Sequence, residues 1–257
     1  MSVARLNTTF PVPQTAILLV TGEFPPAIGG VGDYTATLAA RLHAQGAAVG
    51  VLTGPAPAGA ANPPPANLLV MRGAGEWRLG DWQALTTAIA GQQPSIVHIQ
   101  YQAGAFGGRA AVHLLPRWLR QRPNPPVVLT TFHDLCVPYL FPKAGPLRRL
   151  VRRQLVNDSN AVIATNGEDW HDLRAGRPAA ELLLIPIGSN IPPLPESERA
   201  AARQAVRAAL GLPPDTLLLA YFGLVSASKG LDTLLDALQA RERAAPGRQR
   251  LLVIGGD

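Results

Sequence analysis

Residues Ala16 to Val20 form an unbroken apolar run, Ala-Ile-Leu-Leu-Val, and a helical pattern starts soon afterwards at Val31. A strand that is apolar at every position has no face to offer water, so it belongs inside a parallel sheet covered on both sides by helices. Between run and helix lies the stretch TGEFPPAIGG, after which apolar side chains recur at Val31, Tyr34, Leu38, Ala39 and Leu42. Strand, glycine loop and helix make the first unit of an open α/β sheet, whose ligands lie beyond the carboxyl ends of the strands. Gly29, Gly30 and Gly32 carry no side chain to hold a ligand off the backbone. Amide N–H groups at the helix start are therefore open to an anion, and a phosphate is the natural guest. A tight turn that binds nothing is the alternative these residues leave open.

The same alternation continues along the chain. Further strands are expected at Ala47 to Thr53, Leu68 to Met71, Ser95 to Gln100, Val127 to Phe132, Ala161 to Thr165 and Leu182 to Ile185. Helices are expected at Asp81 to Gln92, with Asp81 placed to cap, and at about Arg109 to Gln121, stopped by Pro123 to Pro126. His98 and Gln100 close the fourth strand, and His133 with Asp134 follows the fifth, so these polar residues are delivered to one rim. Glu168 and Asp169 begin a helix and read as capping residues. A basic amphipathic segment carries Leu147, Leu150, Val151 and Leu155 against Arg148, Arg149, Arg152 and Arg153. Such a segment is a solvated helix face or a membrane-surface contact.

Composition narrows the class of protein. Cys136 is the only cysteine, which excludes an intrachain disulfide. A formal charge of +6 suits anionic small molecules, anionic lipid surfaces or nucleic acid without choosing among them. The apolar run before Thr21 is too short for a secretory core, and no uninterrupted apolar segment approaches the ~20 residues of a membrane span. A cytoplasmic protein is expected, with peripheral contact at the inner face of the membrane open to the basic segment.

The stiff run PIGSNIPPLP, Pro186 to Pro195, marks a domain boundary, with domains expected at 1–188 and 189–257. Beyond it lie a polar helix from about Glu196 to Leu210, a buried strand from Thr216 to Phe222, a loop from Gly223 to Gly230, a helix from Leu231 to Arg241 and a strand from Leu251 to Ile254. One βαβ unit cannot cover both faces of its sheet. The second domain is therefore expected to be incomplete, and the chain to be a truncated form of a longer protein. Lys229, at a helix start, can neutralise a phosphate as a point charge. The loops around Gly30 and Lys229 are expected to face one cleft.

In combination, FPPAIGGVGDYTATLAARLHAQG, IVHIQY, TFHD, SNAVIATNGEDWHDL, IPIGSNIP and YFGLVSASKGLDTLLDAL resemble the GT-B retaining glycosyltransferases of family 4, in family order from about Ala16 to Asp257. The resemblance implies an α/β, GT-B-like fold: a complete amino-terminal Rossmann-like parallel sheet with helices on both faces, which binds the acceptor, and a second Rossmann-like domain, which binds the nucleotide-sugar donor. It implies that Gly29 and Gly30 lie near the donor diphosphate, that Lys229 contacts the phosphates, and that His133, the catalytic candidate, lies near the donor sugar. Gly32, Asp33, His98, Gln100, Asp134, Asn190 and Gly223 would line the cleft. Metal and cofactor are both expected to be absent, and the partners are a nucleotide-diphosphate sugar and a carbohydrate or lipid-linked acceptor, with no nucleic acid.

The chain departs from the family pattern in two places. Leu224 stands where an arginine follows the loop glycine, and the paired glutamates of the donor domain would fall beyond Asp257. An inactive or weakly active fragment is therefore expected, and a non-catalytic acceptor-binding or membrane-surface module is the alternative. A dinucleotide-binding dehydrogenase is disfavoured because the first loop lacks G-x-G-x-x-G and Val51-Leu52-Thr53-Gly54 offers no acidic residue for a ribose. A P-loop is disfavoured because Ser228 and Gly230 occupy the positions of its second glycine and its hydroxyl residue.

Overall fold

The computed structural model describes residues 16–58, 68–72, 75–135, 145–176, 178–223, 225, 229–244 and 246–255. Cys136, Leu224 and Ser226 to Ser228 lie outside the described residues, as do the side chains of Leu147 to Val151. The chain divides into two compact units after Asn190.

In the first unit, β1 (Ala16–Thr21), β2 (Ala48–Leu52), β3 (Leu69–Met71), β4 (Ile96–Tyr101), β5 (Val127–Phe132), β6 (Ala161–Ala164) and β7 (Glu181–Leu184) form one sheet. Their order is β3-β2-β1-β4-β5-β6-β7, and every pairing is parallel. β1 and β4 are neighbours without being consecutive, so the winding reverses between them. That reversal opens a crevice at their carboxyl ends. Thr21 sits in register with Gln100, and Tyr101 with Phe132, so the loops after β1, β4 and β5 emerge along one rim.

Helices bury both faces. Leu19 and Val51 pack with Phe24 and with Ala39 of α1 (Gly30–Ala44). On the other face Leu18, Val20 and Ile99 pack with Leu85 of α2 (Trp82–Gln92) and Leu115 of α3 (Ala111–Arg120). Adjacent residues Leu18 and Leu19 thus serve opposite clusters, which is why the run is apolar at every position. Each such burial contributes about 1.5–3 kcal/mol. Phe132 and Val162 join Leu155 of α4 (Gly145–Asp158) and Leu173 of α5 (Gly167–Ala175) at the other end of the sheet.

Two helix starts resolve differently. Asn166 caps α5, with Oδ1 accepting the Asp169 N–H at 2.8 Å and Nδ2 donating to Asp169 Oδ2 at 2.8 Å. Glu168 and Asp169 lie in the first turn, where negative charge suits the helix dipole. Asp81, expected to cap α2, makes no side-chain hydrogen bond to it. A 3-10 turn at Leu79–Asp81 precedes the helix and holds Asp81 in helical rather than extended backbone, so Oδ2 instead accepts the Arg78 N–H at 2.9 Å.

On α4, Arg152 donates to Asp172 Oδ2 at 3.2 Å, while Leu155 and Val156 are buried. Among the described residues no helix is long and apolar enough to cross a membrane.

The second unit contains α6 (Glu196–Ala209), β8 (Leu217–Phe222), α7 (Leu231–Ala244) and β9 (Gln249–Ile254), with β8 and β9 parallel. The expected buried strand from Thr216 to Phe222 is buried only at Thr216, while Leu217 is 43% and Phe222 68% exposed. The reason is local: β8 has β9 as its only paired neighbour among the described residues, and neither α6 nor α7 contains a described buried residue.

Candidate active site

The loop after β1 closes on its own glutamate. Glu23 Oε1 accepts the backbone N–H groups of Val31 and Gly32, at 3.1 and 3.2 Å. These are the second and third residues of α1, so a carboxylate from the chain itself sits at the helix start. A Cβ on Gly29 would strike that carboxylate, and one on Gly32 would come within 3.2 Å of the Glu23 and Phe24 backbone. The close approach at those two glycines is therefore internal. Gly30 differs: it is exposed, a Cβ there meets nothing within 4 Å, and its N–H has no partner among the described residues. Asp33 is exposed in the first turn, and its N–H donates to the Gly29 carbonyl at 3.0 Å. Arg72, just past β3, donates to the Pro25 carbonyl and ties a second loop to this one.

His133 stands at the next position along the rim, held from four directions. Its N–H donates to the Tyr101 carbonyl at 3.0 Å, and its own carbonyl accepts Thr165 Oγ1–H at 3.4 Å. The imidazole Nε2 shares a 2.9 Å hydrogen bond with Gln100 Oε1. Tyr34, one turn into α1 from Gly30, meets the ring edge-on with centroids 4.8 Å apart. Burial lowers the His133 pKa to about 4, so the ring is neutral near pH 7.

Deeper on the same face of β4, His98 Nε2 shares a 2.7 Å hydrogen bond with Thr131 Oγ1. Burial first, and charge on His133 second, lower the His98 pKa to about 4. Gly22 fixes the other wall: a Cβ there would strike the Ala105 carbonyl of the loop after β4.

The structure thus brings Gly30, Gln100 and His133 to one rim of the first unit, with His98 beneath and Asp134 half-buried beside His133. Asn190 is exposed at the end of that unit. Gly223 and Lys229 belong to the second unit. Gly223 follows β8 with φ of 135° and donates its N–H to the Ile254 carbonyl at 3.0 Å. Lys229 is exposed just before α7. Glu23, Tyr34, Thr131 and Thr165 are the participants that sequence reasoning did not place here. Only Glu23 carried a signal, as an acidic residue inside an otherwise apolar and glycine-rich loop.

A doubly wound parallel sheet with a glycine loop at its switch point and a held histidine on the adjoining rim defines a Rossmann-like domain of the GT-B type. Residues 29–188 match the family model described as the glycosyl transferase 4-like domain, and the chain belongs to that family of glycosyltransferases.

Among curated proteins it is 30% identical over 190 residues to the D-inositol 3-phosphate glycosyltransferase of Jonesia denitrificans, covering 68% of this chain and 42% of that protein. It is 35% identical over 115 residues to the Xylanimonas cellulosilytica protein of the same name, covering 42% of this chain and 26% of that one. The matched segment is thus less than half the length of either relative. Among solved structures, sucrose-phosphate synthase from Thermosynechococcus elongatus aligns with a TM-score of 0.69 at 22% identity, covering 95% of this chain and 63% of that one. The catalytic domain of starch synthase IV from Arabidopsis thaliana, bound to ADP and acarbose, aligns at 0.62 and 14% identity, covering 94% and 68%. At these identities the likeness is one of fold.

Proposed function

We propose that this chain takes part in moving a sugar from a nucleotide-diphosphate sugar to a hydroxylated acceptor, carbohydrate or lipid-linked, with retention of anomeric configuration and without a metal. The observation that carries this reading is the pairing, on one rim, of an open glycine amide at Gly30 with a neutral, rigidly held His133.

Breaking a glycosyl phosphate bond builds positive charge on the anomeric carbon and negative charge on the departing diphosphate. Donors already aimed at that diphosphate act on the transition state more than on the ground state. Gly30 N–H is one such donor, beside Gly29, and the family resemblance assigns the Lys229 ammonium to the donor phosphates as a mobile point charge. Because Glu23 already takes the Val31 and Gly32 amides, the helix end has less positive potential to offer an anion. A neutral His133 serves the sugar by hydrogen bonding rather than the diphosphate by charge.

The metal-free reading follows from the resemblance to the family, in which basic residues and helix N-termini serve the diphosphate. Retention is carried over with the family resemblance. The names of the curated relatives, D-inositol 3-phosphate glycosyltransferases, favour a phosphorylated polyol among the hydroxylated acceptors to be tried.

Calorimetric titration with UDP- and GDP-sugars tests the assignment. The expected result is binding that Gly30→Val and Lys229→Ala each weaken at least tenfold, about 1.4 kcal/mol, with unchanged melting temperature. No binding of either donor, or equal affinity in both variants, overturns it.

A further inference from the structure

Gln100 is more than a wall of the crevice. It is fully buried at the end of β4, in register with Thr21, on the face that also carries His98. Its carboxamide oxygen lies 2.9 Å from His133 Nε2, yet its amide nitrogen is buried without a hydrogen-bond partner among the described residues. An orphaned buried amide is unfavourable, and a methionine or leucine would fill the space without that cost. The residue's contribution therefore lies in its oxygen.

A neutral imidazole has one N–H, and the partner of one ring nitrogen decides which nitrogen carries it. Tyr101 and Thr165 fix the His133 backbone, and Tyr34 fixes one side of the ring. What they leave undetermined is the location of the ring proton. We propose that Gln100 is a positioning residue, whose carboxamide oxygen locks His133 as the Nε2–H tautomer and leaves Nδ1 as a hydrogen-bond acceptor for a sugar hydroxyl. Nδ1 has no partner among the described residues, in keeping with that task. The step to a sugar rests on the sugar-transfer reading above, whereas the tautomer does not.

Long-range proton–nitrogen correlation of the uniformly labelled protein near neutral pH reads the tautomer directly, with His133→Asn supplying the assignment. The expected spectrum shows a protonated Nε2 and a bare Nδ1 in the unaltered protein. In Gln100→Met, which keeps the shape and loses the acceptor, it shows a mixture of tautomers. Gln100→Glu, which keeps an acceptor, restores a fully protonated Nε2. In a transfer assay Gln100→Met lowers kcat at least tenfold with the donor KM unchanged. A His133 protonated on Nδ1, or a tautomer that Gln100→Met leaves unmoved, overturns the proposal. If Gln100→Met does not fold, the spectrum of the unaltered protein decides alone. The expected tautomer in a protein without turnover would count against sugar transfer and leave the lock standing.

Discussion

Glu23 Oε1 accepts the backbone N–H of Gly32 at 3.2 Å, nine residues further along the chain. With the Val31 N–H on the same oxygen, the loop is closed by its own anion at the place where a bound anion would gain most from the helix. Removing the carboxylate therefore has two effects of opposite sign. Glu23→Ala is expected to cost about 1 kcal/mol of stability, as loss of a helix cap does. It is also expected to tighten UDP binding several-fold, because two amides are freed and a like charge is gone. Urea unfolding and calorimetry on one preparation check both signs, and weaker UDP binding would place Glu23 on the ligand's side instead.

Gly29 and Gly30 are adjacent in sequence and opposite in surroundings. A methyl group on Gly29 would run into the Glu23 carboxylate, whereas one on Gly30 meets open space. Gly29→Ala is expected to lower stability by about 1 kcal/mol, because the Glu23 side chain must swing away and give up the two helix-start amides. Gly30→Ala is expected to be neutral or stabilising by about 0.5 kcal/mol, since alanine suits the first turn of a helix. Chemical denaturation of the two variants side by side distinguishes them.

At the other wall, Gly22 abuts the Ala105 carbonyl and has the Phe106 nitrogen 2.7 Å from where its Cβ would stand. Both obstacles are backbone, so neither can swing aside. Gly22→Ala is expected to destabilise by roughly 1–3 kcal/mol and to disturb the loop after β4. Loss of amide-exchange protection near Phe106 is the matching signature.

Three histidines give stability a defined pH dependence. Burial lowers the pKa values of His98, His113 and His133 to about 4, from 6.5 in the unfolded chain. Between those values the unfolded state binds protons that the folded state does not, so stability is full above 6.5 and declines as pH falls towards 4. Urea midpoints over this range should drop on acidification. His113→Gln, which removes one of three similar contributions and keeps a partner for the Tyr101 hydroxyl, should reduce the slope by about a third. A flat profile above pH 4 would show that these rings are solvated.

The strands of the first sheet are legible because parallel strands buried on both faces must be apolar throughout, as Ala16 to Val20 and Ala161 to Ala164 are. Thr216 to Phe222 reads the same way, yet beyond Thr216 it is half-buried or exposed, since burial is decided by what lies across a face and not by the strand's own residues. Asp81 shows the limit for helix starts: an acidic residue before a periodic run fits two registers, and a short turn upstream took the earlier one. In the site, Gln100 and His133 are conspicuous as polar ends of apolar strands. The reach of Glu23 back to Val31 and Gly32 has no spacing rule to reveal it, because the path between them runs through the loop Phe24 to Gly30 rather than along a regular element.

Thr165, next after β6, donates to the carbonyls of both Phe132 and His133. The backbone that carries the imidazole is therefore held in part by a neighbouring strand. A substitution at Thr165, 32 residues away in sequence, would then displace the histidine while leaving the rim's own loops unaltered.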